Sequence, residues 1–180
     1  MNGRVLVCCA TRGRPDMLEG LADSIAGTSM LADLAVYIDD DEGELYAEAI
    51  KAASEKVTVI PFLGPRVGPC ISLNYLVKHN PGYCAYGAAT DDCQFATPGW
   101  DLWVLRQEAE FADGIVAIAP CTTTAGCRTD EGVPGQPLAK RMDFPWVTRR
   151  WHEVVGWLCC PGAYAFYWDV VVDAMGEMTR

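Results

Sequence analysis

Apolar runs alternate with amphipathic stretches along most of the chain. Residues 5–10 (VLVCCA), 34–39 (LAVYID), 57–62 (VTVIPF), 84–90 (CAYGAAT) and 115–120 (IVAIAP) are short, rich in β-branched and small apolar residues, and read as buried strands. Between them lie PDMLEGLADSIAG, GELYAEAIKAASE, PCISLNYLVKH and PGWDLWVLRQEAEF, which carry apolar residues at helical spacing. Strand and helix in alternation predict an α/β domain with a mostly parallel sheet flanked by helices. In the first helix Met17, Leu18, Leu21 and Ile25 mark the inner stripe, Pro15 sits where no amide hydrogen is needed, and Gly27 marks the end. Thr97-Pro98 reads as the start of the fourth helix, with Thr as N-cap.

The alternation stops after residue 120. Residues 121–143, CTTTAGCRTDEGVPGQPLAKRMD, hold neither period and read as a long flexible loop of the kind that serves function. Residues 144–180 then read as a short strand, a helical turn or two, a break at Pro161-Gly162 and a C-terminal helix. With 180 residues and no linker, the chain is expected to be a single domain.

Composition narrows the function. The net charge of −10 disfavours a purely electrostatic nucleic-acid or membrane binder. The apolar stretch at the N-terminus is too short for a signal-peptide core or a membrane span, so a soluble, cytoplasmic protein is expected. The nine cysteines include adjacent pairs and lie largely inside apolar runs, without any CxxC, which favours buried reduced thiols over disulfides or zinc.

Ligands of parallel α/β sheets bind beyond the carboxyl ends of the strands. Those ends carry Thr11-Arg12-Gly13-Arg14, Asp39-Asp40-Asp41, Arg66-Val67-Gly68 and Asp91-Asp92. Arginines and the helix amides at Gly68 can meet phosphate oxygens, and a carboxylate after the second strand can take hydrogen bonds from a base or a ribose hydroxyl. Asp91 and Asp92 can face a divalent metal, Mg2+ or Mn2+, provided the strand has ended and the backbone turns, because neighbours within a strand point to opposite faces. Together these groups suit a nucleoside diphosphate held with a metal. Each has a plainer reading: Asp39–Gly43 as a solvated turn, the arginines as surface charges, His79 as a helix-closing residue, His152 as a structural one.

These stretches resemble the GT-A glycosyltransferases, a family using nucleotide-sugar donors. TRGRPDMLEGLADSI is similar to their first strand-to-helix loop, YIDDDEG to the acidic end of the second strand, GPCISLNYLV to the helix in which asparagine follows glycine. TDDCQFATPGWD resembles the metal-binding DxD region with its downstream Pro-Gly-Trp-Asp, a form associated with small bacterial and phage-type members. The resemblance implies a single GT-A-like, Rossmann-like domain, with 1–120 as the nucleotide-sugar-binding part, 121–143 as a flexible loop and 144–180 as the acceptor-side part. It implies that Thr11, Arg12 and Arg14 line the nucleotide and that Asp39 or Asp40 contacts base or ribose. It implies Asp92 as the principal metal ligand, with Asp91 holding the ribose or sharing the metal. Cys93 stands where a strict DxD has its second aspartate.

In inverting members a late acidic residue deprotonates the acceptor hydroxyl. Asp169 occupies that place, and Glu153 is its competitor. The family's late histidine, a metal ligand, has no counterpart after His152, which leaves His152 as the candidate for that metal ligand beside Asp91 and Asp92. The implied activity is metal-dependent sugar transfer to an acceptor that the sequence leaves open: a glycan, a lipid-linked sugar, a protein or a modified DNA base. The alternatives are a non-catalytic nucleotide-binding accessory protein with a degenerate GT-A fold, or a nucleotidyltransferase, whose glycine-rich basic loop TRGRP lacks.

Overall fold

A computed structural model of the chain describes residues 3–118 and 144–160. The first apolar run forms β1 (Val5–Thr11), followed by α1 (Pro15–Thr28) and β2 (Ala32–Asp39). A 3-10 turn at Asp40–Glu42 leads into α2 (Gly43–Ser54), then β3 (Val59–Gly64), α3 (Pro69–His79) and β4 (Ala85–Ala89). After α4 (Trp100–Glu110) come β5 (Ala117–Ile118), β6 (Trp146–Thr148) and α5 (Arg149–Val155). The expected loop over 121–143, the C-terminal helix and Asp169 lie outside the described residues.

The six strands stand in the order β3-β2-β1-β4-β6-β5. β1 to β4 are mutually parallel, whereas β6 runs antiparallel to both β4 and β5. The fifth apolar run therefore pairs with β6 at the sheet edge and not with β4, because β6 inserts between them.

Alternation along the strands divides the core. Val5, Val7, Cys9, Leu34, Val36 and Ile38 face α1, α2 and α4, together with Leu18, Leu21 and Ile25. Leu6, Cys8, Ala35, Tyr37 and Tyr86 face α3 and α5. Met17, expected on the inner stripe, is exposed. No disulfide joins the seven described cysteines, and Cys8, Cys9, Cys70 and Cys159 are buried as expected of small hydrophobes.

The fourth helix starts later than its sequence suggests. Gly99, in the left-handed region at φ 73°, is its N-cap, and no side chain caps it. The stretch is pinned instead to the turn after α1. Gly99 N donates to Thr28 O at 2.7 Å, Trp100 Nε1 donates to Thr28 Oγ1 at 3.0 Å, and buried Asp101 accepts from the Met30 and Leu31 amides at 2.8 and 2.6 Å. Pro-Gly-Trp-Asp is architecture here. At Gly87 on β4 a Cβ would come within 2.0 Å of the Trp146 ring on β6, so only glycine lets the two strands approach.

Candidate functional site

β1 pairs with β2 on one side and β4 on the other, so the chain reverses its direction of winding between β1 and β4. The carboxyl ends of those strands form the crevice where α/β sheets place ligands. Thr11, the last residue of β1, and Asp91, two residues past β4, meet there: Thr11 Oγ1 donates to Asp91 Oδ2 at 2.6 Å.

The turn after β4 explains how adjacent aspartates serve one site. Cys93 N donates to Thr90 O at 3.0 Å and closes the turn, and Thr90 Oγ1 donates to Asp92 Oδ1 at 2.5 Å. Asp91 is thereby buried at 1% exposure, while the Asp92 side chain stays 55% exposed. Cys93 is partly buried against the core, and its Sγ accepts from Thr90 N at 3.4 Å.

A directed hydrogen-bond chain ends on Asp91. A carboxylate can only accept, so Thr11 donates to it, the Tyr46 hydroxyl at 2.8 Å donates to Thr11, and the Arg14 amide at 2.9 Å donates to Tyr46. Asp91 Oδ1 is buried and has no hydrogen-bond partner among the described residues; Arg14 Nη2 lies 2.5 Å away as an ion pair without hydrogen-bond alignment. Arg14 Nη1 is 3.6 Å from Asp92 Oδ2.

The loop after β1 is tied equally to the acidic end of β2. Arg12 donates to Asp39 Oδ2 at 2.6 Å and forms a two-pronged contact with Asp41, both bonds at 2.9 Å. Gly13, at φ 70°, turns its amide to Glu42 Oε2 at 2.8 Å. The Arg12 pKa is raised, chiefly by the hydrogen bond to Asp41 and then by that to Asp39, and the Asp41 carboxyl is lowered by the same contact. Arg12 is thus committed to carboxylates. Asp40 and Arg66 are exposed, and Arg66 lies near enough to help lower Asp41. Gly68, at φ 82°, is the N-cap of α3.

Sequence reasoning missed Tyr46 and Glu42 as parts of this rim. Tyr46 occupies an apolar position of α2, and nothing in a helical stripe announces that its hydroxyl emerges at a neighbouring loop.

His152 and Glu153 are not brought to the aspartates. β6 is antiparallel to β4, so Thr148, just before α5, sits beside Ala85 at the start of β4. His152 lies 5.7 Å between ring centroids from Tyr86, and Asp91 is five residues further along, roughly 16 Å for an extended strand. Burial lowers the His152 pKa. Glu153 pairs with Arg150 at 3.1 Å and Arg149 at 3.6 Å. Among the described residues no group of three or more His, Cys, Asp or Glu side chains is placed so that it could hold a metal ion. The oxygen donors of Asp91 and Asp92 still suit Mg2+ or Mn2+, which commonly use one or two carboxylates and complete their shell with water and phosphate. The buried Oδ1 of Asp91, ion-paired with Arg14 but without a hydrogen bond, is an acceptor of the right kind.

No family model matches the chain, and no curated protein matches it. Solved structures do. A mannosyltransferase from Pyrobaculum calidifontis, PcManGT, in complex with GDP-Man and Mn2+, matches at TM-score 0.60 and 15% identity, over 87% of this chain and 48% of that one. TarS from S. aureus matches at TM-score 0.62 and 10% identity, over 93% and 53%. A 4-diphosphocytidyl-2C-methyl-D-erythritol synthase from Anaerococcus prevotii matches at TM-score 0.54 and 13% identity, over 98% and 85%. The chain spans about half the length of the first two. It has the GT-A-type fold, a mostly parallel sheet flanked by helices. Among the described residues no helix is long and apolar enough to cross a membrane.

Proposed function

We propose that the chain is a metal-dependent glycosyltransferase of the inverting kind, moving a sugar from a nucleotide-diphosphate donor to an acceptor hydroxyl. The observation that carries this reading is the convergence of Thr11, Arg14, Asp91 and exposed Asp92 where the sheet reverses its winding. The GDP-Man and Mn2+ in the PcManGT complex support a nucleotide-sugar donor and a metal.

Asp92 and Asp91 would hold Mn2+ or Mg2+, which supplies positive charge against the leaving diphosphate. The chain's own residues do the rest. Arg66 and the amides at the start of α3 after Gly68 offer donors to phosphate. Asp39, fixed through Oδ2 by Arg12, and exposed Asp40 serve base or ribose hydroxyls. Asp169 takes the acceptor proton. Glu153, engaged by Arg149 and Arg150 at the other end of β4, does not. Work in the cytoplasm, where nucleotide sugars are at hand, belongs to the same proposal.

The test is a panel of nucleotide sugars incubated with the protein and Mn2+, read by mass spectrometry for released nucleoside diphosphate. Release from one donor supports the proposal, and release from none, with or without added acceptors, contradicts it. Nucleotidyl transfer is the second reading, favoured by the match over 85% of the synthase; it predicts pyrophosphate release from a nucleoside triphosphate. The single glycine of the TRGRP loop disfavours it.

A further inference from the structure

Arg14 stands against both carboxylates of the turn after β4. Its Nη2 lies 2.5 Å from Asp91 Oδ1 and its Nη1 3.6 Å from Asp92 Oδ2. Thr11 occupies the other oxygen of Asp91, and Thr90 the other oxygen of Asp92. The oxygens left to Arg14 are therefore those that protein hydroxyls do not use, and Asp91 Oδ1 is buried without a hydrogen bond. A single guanidinium covers the oxygens that a divalent cation would need.

The backbone of Arg14 is held independently of its side chain. Its amide donates to the Tyr46 hydroxyl at 2.9 Å, and Pro15 begins α1 immediately after it. The side chain is 51% exposed, so it can swing without disturbing the loop.

We infer that Arg14 is an exchangeable counter-ion. It holds Asp91 and Asp92 while no divalent cation is bound, and gives them up to the cation as its guanidinium moves onto the phosphate oxygens of the donor. This rests on the nucleotide-sugar reading above. Two cations within a few ångströms of the same carboxylates repel each other, so the metal and Arg14 compete for these oxygens. A diphosphate gives the displaced guanidinium a new anion and the metal further oxygen ligands. Metal and diphosphate binding are then positively coupled, and Arg14 carries part of the coupling.

The experiment is Mn2+ binding followed by the electron paramagnetic resonance of free Mn2+, with and without GDP or UDP and with nucleotide-only blanks. Proteins compared are the wild type, Arg14→Gln, Arg14→Lys and the double variant Arg14→Gln/Asp92→Asn. Without nucleotide, Arg14→Gln is expected to bind Mn2+ about tenfold more tightly than wild type, about 1.4 kcal/mol. Arg14→Lys is expected to stay near wild type. The nucleotide that tightens Mn2+ binding to wild type should do so several-fold less for Arg14→Gln, and the double variant should lose the gain. Equal or weaker Mn2+ binding by Arg14→Gln, or a gain that survives Asp92→Asn, overturns the inference and leaves the proposed function standing. Absence of Mn2+ binding in every protein and condition overturns both. A wild-type readout independent of variant folding is the Arg14 Nε–Hε signal in NMR spectra. It should move on addition of Mg2+ with the nucleotide, and an unmoved signal at saturation overturns the inference.

Discussion

Thr11 and Asp91, 80 residues apart, are joined by a 2.6 Å hydrogen bond between the ends of β1 and β4. Both groups are buried, and the Thr11 hydroxyl also receives the Tyr46 hydroxyl. Thr11→Val keeps the shape and removes both bonds, leaving Asp91 Oδ2 unsatisfied. A cost of about 1–3 kcal/mol is expected. Chemical denaturation checks it, and nucleotide binding should weaken alongside.

Tyr46→Phe probes the same chain from its outer end. Loss of one hydroxyl frees the Arg14 amide and the Thr11 oxygen, at about 1–3 kcal/mol for a buried group left unpaired. The β1–α1 loop should exchange its amide hydrogens faster, most visibly at Arg14.

Architecture and chemistry separate at Asp101. It is fully buried and ties the Met30 and Leu31 amides, away from the rim. Asp101→Ala should lower stability by about 1–3 kcal/mol through unpaired amides and lost packing, with Mn2+ and nucleotide affinities of the folded fraction unchanged. Gly87→Ala should be similarly or more destabilising, since its Cβ overlaps the Trp146 ring. Thermal melting reads both.

Acid should loosen the acidic rim and, at the opposite end of β2, the Arg4–Asp33 pair. The Asp41 carboxyl is lowered by its hydrogen bond to Arg12, and the Asp33 carboxyl is lowered too, burial there being outweighed by hydrogen bonds from Arg4 and Tyr83. A group whose pKa is depressed on folding contributes stability above its unfolded value, about 3.9 for aspartate. That contribution is lost as pH falls through the lower folded value. Melting temperature against pH should therefore drop below about pH 4. In Arg12→Gln the Asp41 part of that slope should shrink, because its largest cause is removed while Arg66 remains.

The strands were legible because each is a short apolar run of its own, and the helices because their stripes are regular. The insertion of β6 between β4 and β5 was not, since pairing across residues 118 to 146 depends on Gly87 admitting Trp146, a contact no local pattern records. Thr11, Arg14, Asp39, Asp91 and Asp92 could be expected at one rim of the sheet because each stands at or just after the carboxyl end of a strand. Thr97 misled because Gly99 can adopt the left-handed conformation and start the helix later. His152 misled because its place follows from the antiparallel direction of β6, which turns α5 toward the start of β4.

The most direct test is turnover of the donor found by the nucleotide-sugar panel, measured against Mn2+ concentration in wild type and Asp92→Asn. The exposed Asp92 carboxylate can be neutralised without loss of a buried contact. Metal-dependent release of nucleoside diphosphate by wild type, falling at least about 100-fold in Asp92→Asn, is the result expected for an interaction worth about 2.7 kcal/mol or more in the transition state. Full metal-dependent turnover in Asp92→Asn would contradict the account.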